Sequence, residues 1–519
     1  MREIILFKTR IVIFTIVLVF LIFGKLWNSR KSNEKVFGGS VKVASFYNKS
    51  SKFIDPIRFE SATDYNLARN LYSQLVEYDE NGSIIPGAPE SFHWEGQNLI
   101  FTFGNKTRTN KGNLITANDA AKSLKRTLFL EKYNHGSLKS ILCKNGGNNS
   151  KFEGVCDGIH VDGNKLILTV KENIPAEHVI EVLSSIDFSI IPNLPDQIDK
   201  LKDSKLDHSE TSGPYFVSQD DENGNFTFKA SEQHYNYSKD IPQVVQFVST
   251  KLSTDHGAML LSGEVDFTTT TCYISIQSLA QIMNDRSTFS VHETVPIRVH
   301  MVVFTPVAVK KFSYEHRAFA ASLFKEFYLS RIKEPERKES HEFFQTLSDG
   351  SLSAEQKLVI EKLRSNPDRP KFDQPIQYGI PESRYEDAKN FFAPYPEVEV
   401  VKRTTTAMNY PVEERSDMYF VTNDSAWTES ITLVNYNFNN GIFNIPNFDY
   451  HKWIDNYMGI KERSERVKML SDLHFKLLQT GGIFPLFVSP YYAVARKPWE
   501  IKMSTLFAGT PLWQIHKKQ

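Results

Sequence analysis

Asn70-Leu71-Tyr72-Ser73-Gln74-Leu75-Val76-Glu77-Tyr78-Asp79, followed closely by Gly82 and Pro86-Gly87-Ala88-Pro89-Glu90-Ser91, is the stretch on which the reading of this 519-residue chain turns. Its apolar pattern begins upstream. Leu67, Leu71 and Leu75 recur every fourth position, which places them on one face of a helix. Ser61-Ala62-Thr63-Asp64 supplies the start of that helix, with Ser as cap and Asp three positions on to return the bond. Asp79-Glu80-Asn81-Gly82 closes the unit as a turn. Leu99, Phe101 and Phe103 then alternate with Ile100 and Thr102, a strand signature, and Thr116-Ala117-Asn118-Asp119 opens a second capped helix carrying Ala120, Ala121, Leu124 and Leu128.

Outward from this stretch, Val41–Phe46 reads as a first strand, and strands return at Leu166–Val170 and Phe226–Phe228 between Asp/Asn/Gly turns. A helix around His256–Leu261 stops at Gly263. His316 to Lys362 reads as helical and heavily charged, broken afterwards by Pro367 and Pro370. Val467, Leu470, Leu473, Leu477 and Leu478 give a helical face ending at Gly481-Gly482, and Ile483–Val488 and Tyr491–Ala495 read as late strands. There is no internal repeat. Helices and strands alternate irregularly, so the expected class is mixed α/β.

The composition, 40% hydrophobic and 24% charged, belongs to a folded protein of two to three domains. Formal net charge is +0 but unevenly spread: residues 1–31 hold six basic residues against Glu3 alone. The mildly acidic remainder carries no electrostatic footprint for nucleic acid. Arg2, Lys8 and Arg10 precede the apolar run Ile11 to Phe23, the charge-then-apolar order of an export signal. As a helix, Ile11–Gly24 would span roughly 21 Å of a roughly 30 Å hydrocarbon core, although Leu26 and Trp27 extend it. No small-x-small cleavage site follows. The segment is therefore read as a signal or as an anchor over residues 11–27, and the body as extracytoplasmic, periplasmic in a cell with two membranes. Cys143 and Cys156 bracket a polar turn and either close a small loop, worth roughly 3 kcal/mol, or remain free thiols; Cys272 is left over.

Local traces of catalysis are missing. There is no phosphate-binding Gly-x-x-x-x-Gly-Lys-Ser/Thr loop and no Gly-x-Ser-x-Gly elbow. His292-Glu293 and His341-Glu342 begin like a zinc-protease motif, but the second histidine is replaced by Pro296 and Gln345. No enzyme activity, cofactor or metal site is expected, and an exported hydrolase is the weakest of the readings considered.

In order along the chain, these landmarks resemble the extracellular solute-binding protein family 5, the oligopeptide- and dipeptide-binding proteins of bacterial transporters. The resemblance starts at Phe53-Ile54-Asp55-Pro56 and runs through the opening stretch, Trp94, Phe101-Thr102-Phe103, Ile115–Asp119 and Ser123-Leu124-Lys125-Arg126. It resumes at Gly213-Pro214-Tyr215, Asn236-Tyr237, Leu261-Ser262-Gly263-Glu264-Val265-Asp266, Pro446-Asn447-Phe448-Asp449, Arg466 and Lys497-Pro498-Trp499. It covers about residues 40 to 519 and is thinnest between 270 and 415. The resemblance implies a two-lobed periplasmic-binding-protein-like clamp of type II with an extra inserted domain. On that basis 1–35 is the signal or anchor with its linker, and 36–60, 206–275 and 480–519 form lobe I. The extra domain is 61–205 and lobe II is 276–479. Most landmarks are turn and packing residues, expected to support the fold rather than touch ligand.

The function implied is hinge closure on an extended peptide or related solute and delivery to the permease subunits of an ABC importer, by a monomer. A membrane-retained sensing or interaction module is the alternative. One contact strand falls at Glu60, Ser61 and Ala62, although Ser61 also suits a helix cap. The other falls in Asp417–Glu429, where the family's Trp-x-Ala-Asp-Tyr is gone and Ala426 stands in the place of the acid that receives a peptide's ammonium group. Asp424 shares a strand face with that position and Thr422, so Thr422 and Asp424 complete the candidate ligand-binding residues. A surface turn at Asn423-Asp424-Ser425 is the competing reading.

Overall fold

The structure is a computed structural model that describes residues 39–518, apart from 59–60, 80, 131–137, 144–155, 172–173, 202–205, 222, 252–253, 332–336, 365–368, 404–409 and 426–430. The expected signal or anchor, Glu60 and Ala426 lie outside the described residues. Among the described residues, no helix is long and apolar enough to cross a membrane.

Two large sheets dominate. The first has seven strands, in the order Phe289–Glu293, Tyr492–Arg496, Phe267–Thr268, Ser40–Ser45, Val244–Ser249, Phe226–Ala230 and Tyr215–Asp220. Ser40–Ser45 runs parallel to both of its neighbours, so three strand ends point the same way at the sheet centre. The second has six strands, in the order Lys338–Glu339, Ile483–Ser489, Arg298–Phe304, Met418–Asp424, Ile376–Pro381 and Val398–Arg403. Every residue of Ile483–Ser489 is buried, which explains why that strand reads as an unbroken apolar run rather than an alternating one. A smaller antiparallel sheet, Ser91–Glu95, Asn98–Thr102, Lys165–Thr169 and Ile159–Asp162, forms the inserted domain with helix Ala117–Leu130 on it.

The strand pairing shifts three expected boundaries. Phe289–Glu293 pairs into the first sheet and Ile483–Ser489 into the second, so the chain crosses between sheets near 294–297 and 490–491, later than the expected 276 and 480. Helix Ala62–Leu71 buries Leu67, Ala68 and Leu71 among Val41, Val43 and Phe247 of the first sheet, and so packs with lobe I rather than the inserted domain. The expected helix over His316 to Lys362 is two helices, Tyr314–Arg331 and Ala354–Arg364. Between them lies the edge strand Lys338–Glu339, and Leu347 and Gly350 both take positive φ, which a helix does not allow.

Cys143 and Cys156 form a disulfide. The landmark residues meet at seams. The Arg126 guanidinium, fully buried, donates to both oxygens of Asp55 at 3.1 and 2.7 Å, tying the inserted domain to lobe I across 71 positions. Gly213 lies against the Leu71–Tyr72 backbone, where an added Cβ would sit 2.4 Å from a carbonyl carbon, so only glycine fits. Asp266 accepts the Lys42 N–H and donates its own to the Lys42 carbonyl, fixing the central strand.

Candidate ligand cleft between the lobes

Two antiparallel segments carry the chain from one lobe to the other and define the hinge. His292 pairs with Ala493 and Glu293 with Tyr492 in the first sheet; Arg298 pairs with Ser489 in the second. Between them Thr294 N–H donates to the Tyr491 carbonyl (3.0 Å), and Tyr491 N–H donates to Thr294 Oγ1 (2.8 Å). A two-stranded ribbon therefore runs through both sheets, and its middle, held by the Thr294–Tyr491 bonds, belongs to the ladder of neither.

On lobe I the cleft floor lies at the carboxyl ends of the parallel strands, where open α/β sheets hold ligands. A narrow crevice there is lined by Ser45, Thr63, Asn66, Phe247, Thr269 and Thr271. Its polar groups largely serve the fold. Asn66 Oδ1 accepts from Thr510 N–H (2.8 Å), Asn70 Oδ1 accepts from Leu512 N–H (2.8 Å), and Thr270 N–H donates to Thr510 Oγ1 (3.0 Å). Cys272 donates to the Ala44 carbonyl, and burial pushes its thiol pKa up to about 11, which disfavours the thiolate. The loop 505–510 runs along this floor from the hinge, where Val295 N–H donates to the Thr505 carbonyl, to Tyr78 of the inserted domain, whose ring lies 4.7 Å from that of Phe507.

At the far side of the cleft the inserted domain reaches lobe II. Helix Ala176–Leu183 packs on helix Ile431–Asn439, with Thr432 donating to Glu181 Oε1 (3.0 Å). The His178 ring stacks on Tyr457 at 5.1 Å and 5°. The cleft is thus bounded by hinge, floor and this contact. A separate recess of about 430 Å³ sits on the outer edge of lobe II, lined by Pro296, Lys338, His341, Glu342, Lys357 and Glu361. Lys357 and Glu342 already pair there at 3.0 Å, so its opposite charges offset one another.

The expected contact residues take unexpected places. Ser61 caps its helix: Asp64 N–H donates to Ser61 Oγ, and Asp64 Oδ2 accepts the Ser61 N–H at 2.9 Å. The Ser61 carbonyl accepts from Tyr65 N–H, so neither main-chain group of Ser61 remains to pair with an extended peptide. Ala62, exposed, is the first helical residue. Thr422 sits half-buried in mid-sheet opposite His300. Asp424 is neither a turn nor an open acid. It ends its strand opposite Arg298, and its Oδ1 accepts the Tyr491 hydroxyl at 2.5 Å. Burial raises its pKa above the ordinary carboxylate range, while the Tyr491 bond and the Arg298 charge pull the other way. Arg298 and Tyr491 stand on the two hinge segments, with the guanidinium carbon 5.4 Å from the ring centre. Sequence reading missed this grouping, because its members are separated by 126 and 67 positions and share no motif.

Among the described residues no group of three or more His, Cys, Asp or Glu side chains is placed to hold a metal ion. Two α/β lobes on a ribbon hinge with a third domain inserted constitute the fold of periplasmic binding proteins. No protein-family model and no curated protein sequence matches the chain. Solved structures do. *Haemophilus influenzae* OppA in complex with the peptide RPPGFSPFR superposes with a TM-score of 0.71 at 16% identity, covering 94% of this chain and 100% of that one. The *Escherichia coli* murein tripeptide binding protein MppA gives 0.70 at 14% identity, over 92% and 98%. The unliganded open form of MppA gives 0.59 over the same shares, also at 14% identity. The chain has their two-lobed fold, and the resemblance to solute-binding protein family 5 drawn from the ordered landmarks agrees with it.

Proposed function

We propose that this chain is a non-catalytic solute-binding protein that captures a peptide or related small solute outside the cytoplasm and hands it to the permease of an ABC importer. The observation that carries the reading is the bounded cleft: a ribbon hinge on one side, the inserted domain touching lobe II on the other, and the ends of the parallel strands as floor. Such a clamp retains ligand by excluding solvent. The fold shared with peptide-binding OppA and MppA supports a peptide as the ligand class. In this reading residues 1–35 are the export signal or membrane anchor. Thr422, half-buried on its strand opposite His300, stays a candidate on the second contact strand, and Asp424 acts at the hinge. Glu60 and Ala62, the latter at the first helical position, remain the candidates on the lobe I side.

Native mass spectrometry of the body from about Glu34 onward, purified without denaturation, tests the proposal. A series of co-purified peptide masses is the expected result. A protein that is empty, and stays empty when offered a peptide library, would sink the capture reading in favour of a membrane-retained interaction module.

A further inference from the structure

Among the described residues, one half-buried cation stands beside the loop 505–510 without a hydrogen-bonded partner. Arg69 lies half-buried on helix Ala62–Leu71, one turn beyond Tyr65. Its guanidinium passes beside Gly509, where an added Cβ would stand 2.9 Å from Nη1, so glycine at 509 leaves it room. It feels the charge of Glu77 and lies close enough to Tyr78 to act on the phenol. Yet Glu77 takes its hydrogen bond from the Tyr235 hydroxyl at 2.7 Å. Among the described residues, no hydrogen bond or ion pair within 4 Å reaches the Arg69 guanidinium. Other buried arginines are all committed: Arg126 to Asp55, Arg317 to the Gly481 carbonyl at 2.9 Å, and Arg466 to the Ile460 carbonyl at 3.1 Å.

Resting on the capture reading, we propose that Arg69 receives a carboxylate of the bound ligand beside the apolar wall made by Tyr78 and Phe507, so that the clamp selects solutes with a free carboxylate. The planar fork of a guanidinium matches a carboxylate with two parallel hydrogen bonds. Closure removes water and strengthens that attraction. Until a ligand brings a negative charge into contact, the Arg69 guanidinium is offset only at a distance by Glu77, whose carboxylate is bonded to Tyr235, so ligand and closure favour one another.

The test offers the protein a tryptic digest of casein, as made and after methyl esterification of its carboxyl groups, with retained peptides weighed by mass spectrometry. The wild type should retain the esterified pool at least tenfold less well. Arg69→Gln should lose that discrimination and Arg69→Lys should keep part of it, with thermal melting checking that both variants fold. Equal retention of both pools by the wild type, or full discrimination by Arg69→Gln, would overturn the proposal and leave the capture reading standing. Retention of neither pool would overturn both. Whether the retained peptides carry Asp or Glu separates a side-chain carboxylate from the terminal one.

Discussion

The inserted domain touches both lobes, and the two contacts are made of different stuff. Against lobe I it is bonded by groups that cannot part without leaving charge or dipoles unsatisfied: the two-toothed Arg126–Asp55 pair and the Glu210 carboxylate accepting from Thr109 (2.8 Å) and Asn113 (2.7 Å). Against lobe II it offers Val179 and Val182 to an apolar cluster with Ile431 and Val434, one ring stack, and one hydroxyl-to-carboxylate bond. Apolar surface separates at a cost proportional to its area, whereas a buried ion pair resists until both partners are rehydrated. The difference assigns the roles. The inserted domain is expected to move with lobe I while lobe II swings.

That contrast breaks first at Arg126. Replacing it with Met leaves Asp55 with only the more distant Arg58 at 3.8 Å, and removing the buried partner of an ion pair typically costs about 3–5 kcal/mol. Urea unfolding of Arg126→Met should show a loss of that order, with much of it recovered in the double variant Arg126→Met/Asp55→Leu. A loss under about 1 kcal/mol would mean that the lobe I seam is held by packing alone. The lobe II contact should answer differently. His178→Ala removes one ring stack, worth roughly 0.5–1.5 kcal/mol, from an interface present only when the lobes are together. Small-angle scattering of the unliganded protein should show a larger radius of gyration. Ligand affinity should fall roughly two- to tenfold, the same energy expressed as population, while unfolding stability changes less. An unchanged radius and affinity would make the His178–Tyr457 stack incidental to closure.

Residues of the first seam stood among the landmarks of the sequence, although the Arg126–Asp55 pairing was not read there, and those of the second did not, for a physical reason. Residues that fix a seam are types with narrow tolerance: glycine where a backbone passes at 2.4 Å, as at Gly213, or an arginine whose carboxylate must be matched. Such residues stand out in one chain as turn and charge landmarks, and so do the caps. Ser61 with Asp64 and Thr116 with Asp119 both formed the reciprocal bonds their spacing implied, and Gly263 and Gly481 end their helices at positive φ. The cleft is assembled from the ends of many elements, and its pairings span the chain. Arg298, Asp424 and Tyr491 carry no local pattern that distinguishes a hinge acid from a ligand acid. Ser61 shows the converse hazard: the residue type suited to a contact strand was equally suited to a cap, and the cap won because Asp64 was three residues away.

The smallest effect separates hinge from site. The folded-state pKa of Asp424 is raised. Its contribution is therefore full below the unfolded carboxylate value of about 3.9 and is lost as pH rises through the raised folded value, where the folded protein must ionise a carboxyl it holds in a poorly solvated place. Asn at 424 stays neutral and can still accept the Tyr491 hydroxyl. Asp424→Asn should accordingly be as stable as the wild type at pH 7, or more so by up to about 1 kcal/mol. The gain should shrink as pH is lowered toward 4, followed by urea midpoints down to the lowest pH at which the protein stays folded. Affinity for a peptide with a free amino group should hardly change, because the carboxyl faces Tyr491 and Arg298 across the hinge. If instead the variant is destabilised by more than about 2 kcal/mol at pH 7, Asp424 is ionised and paired with Arg298. The hinge would then be a charged lock, and the contrast between a bonded seam and a free-swinging lobe would have to be redrawn with the lock on the moving side.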